Sequence, residues 1–214
     1  MQTSRRPAGI ALLVFTLGTF AALRIAPTPA GNYSLSQIHG YLAPGARATT
    51  FAGAVIGILA ALALLYYLSA LRAAMPSGRG RDLLWGSGIA AVATAAVGWM
   101  TDATIPLAYA QGGGHVSLTP SVVYTFANLS VAMVYGPGML FAGIAVIIAA
   151  RQLRTAPRWW RVLGYIGGSC AILSMAFFPF YLFVVYGVVV GAWGVLARGG
   201  RPVAAPQPET VNAI

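Results

Sequence analysis

The stretch that decides the fold runs from Thr49 to Leu71 and reads TTFAGAVIGILAALALLYYLSAL. It contains no charged residue and is rich in Leu, Ala and aromatic side chains. A helix of this length, rising about 1.5 Å per residue, crosses the roughly 30 Å hydrocarbon core of a bilayer. The stretch therefore predicts a transmembrane helix.

Similar apolar stretches lie on both sides of it, and together they predict an all-α integral membrane bundle of six transmembrane helices. The last apolar block is too long for one span, and Pro179 removes a backbone donor near its middle. We therefore expect a helical hairpin that turns at Phe178-Pro179-Phe180. The predicted spans are 8–25, 49–71, 83–108, 122–150, 162–178 and 180–197.

Composition agrees with lipid as the main solvent of this chain. Hydrophobic residues make up 58% of it, charged residues only 7%, and the mean hydropathy is +0.77. The net charge of +10 is carried by arginine alone, since lysine is absent. These arginines lie in short segments between apolar runs, a pattern typical of topology signals rather than of nucleic-acid binding. No nucleic-acid partner is expected.

The arginines also predict the orientation. With the N-terminus in the cytoplasm, 11 of the 13 arginines are cytoplasmic and only Arg24 and Arg47 are external. This count places the C-terminus in the cytoplasm as well. The Pro and Ala content of 199–214 predicts a disordered tail there. The first thirty residues resemble a secretory signal, but we expect them to be retained as the first span.

Four residues of the outer half form the candidate ligand site. Asp102 is the only acid within a predicted span, and an intramembrane carboxylate marks a functional site by default. Its position along the helix places it near the outer interface, where a partly exposed ion pair with Arg24 or Arg47 is the alternative. Pro137, between Gly136 and Gly138, predicts a kink or local unwinding. Asn128 and Tyr124 lie to its N-terminal side at the depth of Asp102.

His39 and His115 are the only histidines, and both fall in external loops, 26–48 and 109–121. Two histidines and a carboxylate form a known ligand set, but no ligand spacing supports a metal site here. Motifs for serine hydrolases, phosphate loops, dinucleotide binding and zinc proteases are also missing. We therefore expect no metal, no cofactor and no catalytic residue.

Three pairs of glycines have the Gly-x-x-x-Gly spacing that allows close helix packing. They are Gly53 with Gly57, Gly164 with Gly168, and Gly187 with Gly191. We expect these pairs to pack helices within one chain rather than to form a dimer face.

Several short motifs resemble the bacterial membrane family called domain of unknown function 4386. They are Tyr135-Gly136-Pro137-Gly138, Ala156-Pro157-Arg158-Trp159, Leu163-Gly164-Tyr165-Ile166-Gly167 and Tyr66-Tyr67-Leu68-Ser69-Ala70-Leu71-Arg72. The resemblance covers about 51–198. It departs early in the third span, where that family carries a charged pair and this chain has the apolar 88–96. The resemblance implies a six-span fold and gives no activity.

Together these observations predict a small bacterial inner-membrane protein that binds or moves a small apolar or amphipathic molecule through an outward-facing cavity. Its partners would be the lipid bilayer and that hydrophobic ligand, or a larger membrane complex. Two alternatives stay open: an accessory subunit of such a complex, without a site of its own, and a membrane enzyme with an extracytoplasmic site.

Overall fold

The structure, a computed structural model, describes residues 5–26, 34–113, 118–176 and 178–196, and contains no strand in these ranges. The helices are α1 Arg5–Ile25, α2 Leu35–Tyr41, α3 Pro44–Ala74, α4 Arg79–Gln111, α5 Pro120–Met133, α6 Met139–Gln152, α7 Arg158–Ile172 and α8 Phe178–Leu196. A π-helical turn, Val134–Gly138, joins α5 to α6, and a 3₁₀ turn, Leu173–Ala176, follows α7.

Five stretches of the described chain are long and apolar enough to cross a membrane, which fits a multi-pass membrane protein. The first four spans are longer than predicted: α3, for example, extends past the predicted 49–71 at both ends. α7 has only 15 helical residues and is not among the five. The five are Arg6–Ile25, Pro44–Ala74, Arg79–Gln111, Pro120–Gln152 and Pro179–Leu196.

The helices form a closed ring in which each packs against its neighbours. α1 packs on α3, α3 on α4, and α4 on α5 and α6; α6 packs on α7, α7 on α8, and α8 returns to α1. Phe15 and Phe183 meet edge to face at 6.1 Å in the α1–α8 contact. The ring leaves its outer surface rich in exposed Leu, Val and Ile side chains, as lipid contact requires.

Glycines allow the backbones to approach closely within this ring. A Cβ atom at Gly53 would lie 3.0 Å from the Ala26 Cβ, and one at Gly168 would lie 2.8 Å from the Gly143 carbonyl oxygen. Gly191 packs in the same way against α1. The prediction that the Gly-x-x-x-Gly pairs pack helices within one chain is confirmed: the second and third pairs each face one neighbouring helix, α6 and α1, whereas Gly53 faces the end of α1 and Gly57 faces α4.

The end of the ring that is predicted to be external carries an extension that the sequence did not predict. α3 has 31 residues and α4 has 33, whereas α1 has 21 and ends opposite Gly53. Segment 44–52 of α3 therefore projects about 13 Å past α1. The short helix α2, with its capping box at Ser34, packs there through Ile38 and Tyr41. The prediction of an irregular loop over 26–48 is thus wrong for α2, which a capping box and apolar burial stabilise, and for the start of α3, where Pro44 suits the first helical turn.

The turn between α7 and α8 also differs from the prediction of a turn at Phe178-Pro179-Phe180. Those three residues form the first turn of α8, and the preceding break begins with the 3₁₀ turn. Proline is favourable in the first turn of a helix because its missing N–H would have no intrahelical acceptor there. Pro179 therefore starts a helix rather than interrupting one.

Candidate functional site

Asp102 lies in a different environment from the one predicted. Trp99 packs over Gly57, and Gly53 packs against Ala26, so Asp102 lies near the level where α1 ends. Its residue surface is only 3% exposed, and its backbone carbonyl accepts a 3.2 Å hydrogen bond from the Tyr41 hydroxyl. The prediction of a partly exposed interfacial carboxylate is therefore wrong, because α2 covers this position.

Tyr124 and Asn128 lie one turn apart on the exposed face of α5. The Asn128 amide donates a 2.8 Å hydrogen bond to the Tyr124 carbonyl, and Tyr124 is 47% exposed. Because Asp102 is buried, these side chains do not share one surface with it. The outward-facing cavity beneath the external loops stays a prediction.

Pro137 lies in the π-helical turn, so the expected local disturbance of the fourth span is present. The Met139 N–H donates to the Gly136 and Val134 carbonyls rather than to the Tyr135 carbonyl, which would be its acceptor in a regular α-helix. Ser174, fully buried in the 3₁₀ turn, donates a 2.7 Å hydrogen bond to that carbonyl. The π-helical turn is therefore tied to the α7–α8 connection, and its polar backbone is satisfied by protein.

The histidines give no support to a metal site. His39 is exposed on α2, and His115 lies outside the described residues. Within the described ranges no group of three or more His, Cys, Asp or Glu side chains is close enough to hold an ion.

A cavity of about 200 Å³ lies at the opposite end of the ring, where the predicted cytoplasmic ends of the helices meet. Its floor is buried and includes Tyr67, Leu153, Trp160 and Val190. Its rim is exposed and consists of Ala74 at the end of α3 and the α6–α7 connection 155–157. Small residues widen the space between the helices, namely Ala8, Gly9, Ala70 and Gly194.

The start of α7 supplies backbone donors to the rim of this cavity. Pro157 caps α7 without a side-chain hydrogen bond, and the first N–H to find an intrahelical acceptor is that of Arg161, on the Pro157 carbonyl. The N–H groups of residues 158–160 therefore have no intrahelical acceptor. The Arg161 side chain donates a 3.3 Å hydrogen bond to the Ala150 carbonyl, which ties the start of α7 to α6.

Positive charge surrounds the same rim. Arg154 and Arg158 are exposed and flank the α6–α7 connection, and Arg6 is exposed near Ala8. Arg72 instead lies over the Trp85 ring at 5.2 Å. The cavity thus combines an apolar floor with a cationic mouth.

Two buried tyrosines lie behind the deep end of the cavity. Tyr67 is part of the wall, and its hydroxyl lies beside that of Tyr186, which is not in the wall. Both hydroxyl groups are sealed from solvent and from the cavity, so each is the polar neighbour of the other.

Sequence reasoning missed this cavity because its wall comes from separate segments of α1, α3, the α6–α7 connection, α7 and α8. The one signal in the sequence is the basic loop that ends in Pro157-Arg158-Trp159-Trp160, which was read only as a topology signal. No protein-family model, curated protein or solved structure matches the chain, so the resemblance to domain of unknown function 4386 stays a prediction.

Proposed function

We propose that the chain crosses a bacterial inner membrane six times, with both ends in the cytoplasm. α7 and its 3₁₀ turn together cover Arg158–Ala176, and a helix of that length is about 28 Å long, close to the hydrocarbon thickness. Packing of α7 between α6 and α8 supports a sixth crossing. The bacterial assignment is supported by the sequence resemblance.

Reporter fusions test this topology. A reporter that is active only in the cytoplasm should be active after Arg81, Arg158 or Arg201 and inactive after Gln37 or Gly113. Because α7 is the shortest crossing, the fusion after Arg201 is the decisive one. An exported reporter at that position contradicts the sixth span.

We further propose that the bundle binds a small amphipathic molecule at its cytoplasmic end. The observation that carries this proposal is the cavity with its buried apolar floor and with exposed arginines, Arg154 and Arg158, beside its rim. Its volume of about 200 Å³ is comparable to an engineered cavity of about 150 Å³ that binds benzene. One hydrocarbon chain or ring fits such a space, whereas a two-chain phospholipid does not. Binding sites in helical bundles are commonly of this kind, apolar with a few polar groups.

An accessory role without a site finds less support in the ring. A subunit that packs against a larger complex through small residues would present them on its outer surface. Here the three Gly-x-x-x-Gly pairs contact helices of the same chain. This leaves the cavity as the feature that distinguishes the molecule.

The test of binding uses a neutral bromoalkanol, 10-bromodecan-1-ol, whose bromine quenches tryptophan fluorescence on contact. Trp160 forms part of the cavity floor and Trp193 part of its wall. Binding of the bromoalkanol should therefore quench the tryptophan fluorescence of the protein in a saturable manner. Ala70→Phe fills the cavity from α3 and should abolish the saturable component.

Ala73→Phe is the matched control, since Ala73 is exposed on the same helix and is not in the cavity wall. The fluorescence of the Ala73→Phe variant should be quenched as strongly as that of the unsubstituted protein. Equal quenching in the Ala70→Phe variant would contradict binding in this cavity, because the signal would then come from probe dissolved in the detergent or bilayer.

A further inference from the structure

We propose that the molecule bound in this cavity is a single-chain amphiphile with an anionic head group, a carboxylate or a phosphate monoester. The chain occupies the apolar floor and the head group lies at the rim, against the start of α7. This inference rests on the proposed binding function and adds the charge and the shape of the ligand.

The backbone donors at the rim carry the first step. The N–H groups of residues 158–160 have no intrahelical acceptor, no acidic residue occupies the first turn of α7, and Pro157 and Trp160 of this segment are in the cavity wall. A helix N-terminus has a partial positive charge and favours an anion. The Thr155 hydroxyl, also at the rim, is a further donor.

The charge distribution carries the second step. Arg154 and Arg158 bracket the rim, and both side chains are exposed and able to turn toward a head group. Among the described residues, the one acid in the cytoplasmic connections is Asp82, which lies on α4, a helix with no residue in the cavity wall. No carboxylate of the described wall opposes an anion at this position.

The shape of the cavity carries the third step. Its floor is apolar and includes the buried Leu153 and Val190, so it suits a hydrocarbon chain. Tyr67 lies seven residues from Ala74 along α3, so the cavity is about 10 Å deep. That depth fits one short chain below a head group at the rim.

The experiment compares four probes that share a bromodecyl chain: 10-bromodecanoate, 10-bromodecyl phosphate, 10-bromodecan-1-ol and 10-bromodecyltrimethylammonium. The full-length protein is purified in a neutral detergent at low ionic strength, where interactions between charges are least screened. At least one of the two anions should bind about tenfold more tightly than the alcohol, a difference of about 1.4 kcal/mol. The cation should bind more weakly than the alcohol. The ranking of carboxylate against phosphate identifies the head group.

Charge variants locate the head group. Arg154→Gln and Arg158→Gln should each weaken binding of the anion about three- to fivefold, as expected for a partly exposed charge contact, and should leave the alcohol unchanged. Arg79→Gln removes the same charge from α4 at the same end of the ring and should change neither. Helix content and elution volume of each variant verify that it is folded.

Two outcomes overturn the inference in distinguishable ways. If the alcohol and both anions bind equally in a manner sensitive to Ala70→Phe, the cavity binds amphiphiles without selecting charge, and only the inference fails. If no probe shows quenching sensitive to Ala70→Phe in a folded protein, the proposed binding function fails with it. Anion binding that Arg79→Gln weakens as much as Arg158→Gln assigns the selectivity to general surface charge and also overturns the inference.

Discussion

Ser174→Ala tests whether the 3₁₀ turn stabilises the π-helical turn of the fourth span. The Ser174 side chain is 0% exposed, and its hydroxyl donates a 2.7 Å hydrogen bond to the Tyr135 carbonyl. Alanine removes the hydroxyl that donates to the Tyr135 carbonyl. The Met139 N–H does not replace it, because that N–H donates to the Val134 carbonyl instead. Removing one partner of a buried hydrogen bond costs about 1–3 kcal/mol in soluble proteins and averages about 0.6 kcal/mol between membrane helices.

We therefore expect Ser174→Ala to lower the free energy of unfolding by about 1–2 kcal/mol, above the membrane average because Pro137 makes this backbone less adaptable. The assay is equilibrium unfolding in mixed micelles, followed by far-UV circular dichroism. Ser169→Ala is the control, because Ser169 is exposed on α7. Equal stability of the two variants, within about 0.3 kcal/mol, would refute the reasoning, since the Tyr135 carbonyl would then be satisfied without Ser174.

Two further predictions concern packing and buried hydroxyls. Gly187→Ala places a Cβ against Thr16 and should lower the free energy of unfolding by about 1–3 kcal/mol, while the mass measured by light scattering stays that of the monomer. Gly86→Ala is the control, because Gly86 has open space around it, and it should raise the free energy of unfolding by about 0.5–1 kcal/mol. Tyr67→Phe and Tyr186→Phe should together lie within about 0.5 kcal/mol of the unsubstituted protein, because removing both buried hydroxyls leaves none unpaired. A double-mutant cycle on unfolding measures this, and a double variant destabilised by the sum of the two singles would show that the hydroxyls act independently.

The interior of the long helices could be predicted from the sequence, but their ends could not. Apolar length is a local property, so the run Thr49–Leu71 predicts the central part of α3 directly. The ends depend on what covers them. α3 begins at Pro44, a residue suited to a first helical turn, and Arg47 in that turn lies over the Tyr109 ring of α4. The length of an apolar run gives no information about such an extension.

In the candidate site, too, the position of a residue along its helix could be predicted from the sequence, but its contacts could not. The depth of Asp102 followed from counting residues along α4, but its burial depends on Tyr41, 61 residues away in the chain. The disturbance at Pro137 followed from the missing N–H, but its hydrogen-bond partner Ser174 is 39 residues away. Trp99 is 3% exposed because it lies over Gly57, a residue of a different helix.

The sequence by itself determined that this chain is a helical multi-pass membrane protein, because hydropathy and charge are read from consecutive residues. Tertiary structure alone decided which glycines face a neighbouring helix, which polar groups are buried, and where space remains between the helices. The cavity at the predicted cytoplasmic end requires Ala8, Tyr67, Leu153, Trp160 and Val190 to meet. These residues lie far apart in the chain, and only closure of the ring by the contact of α8 with α1 brings them together.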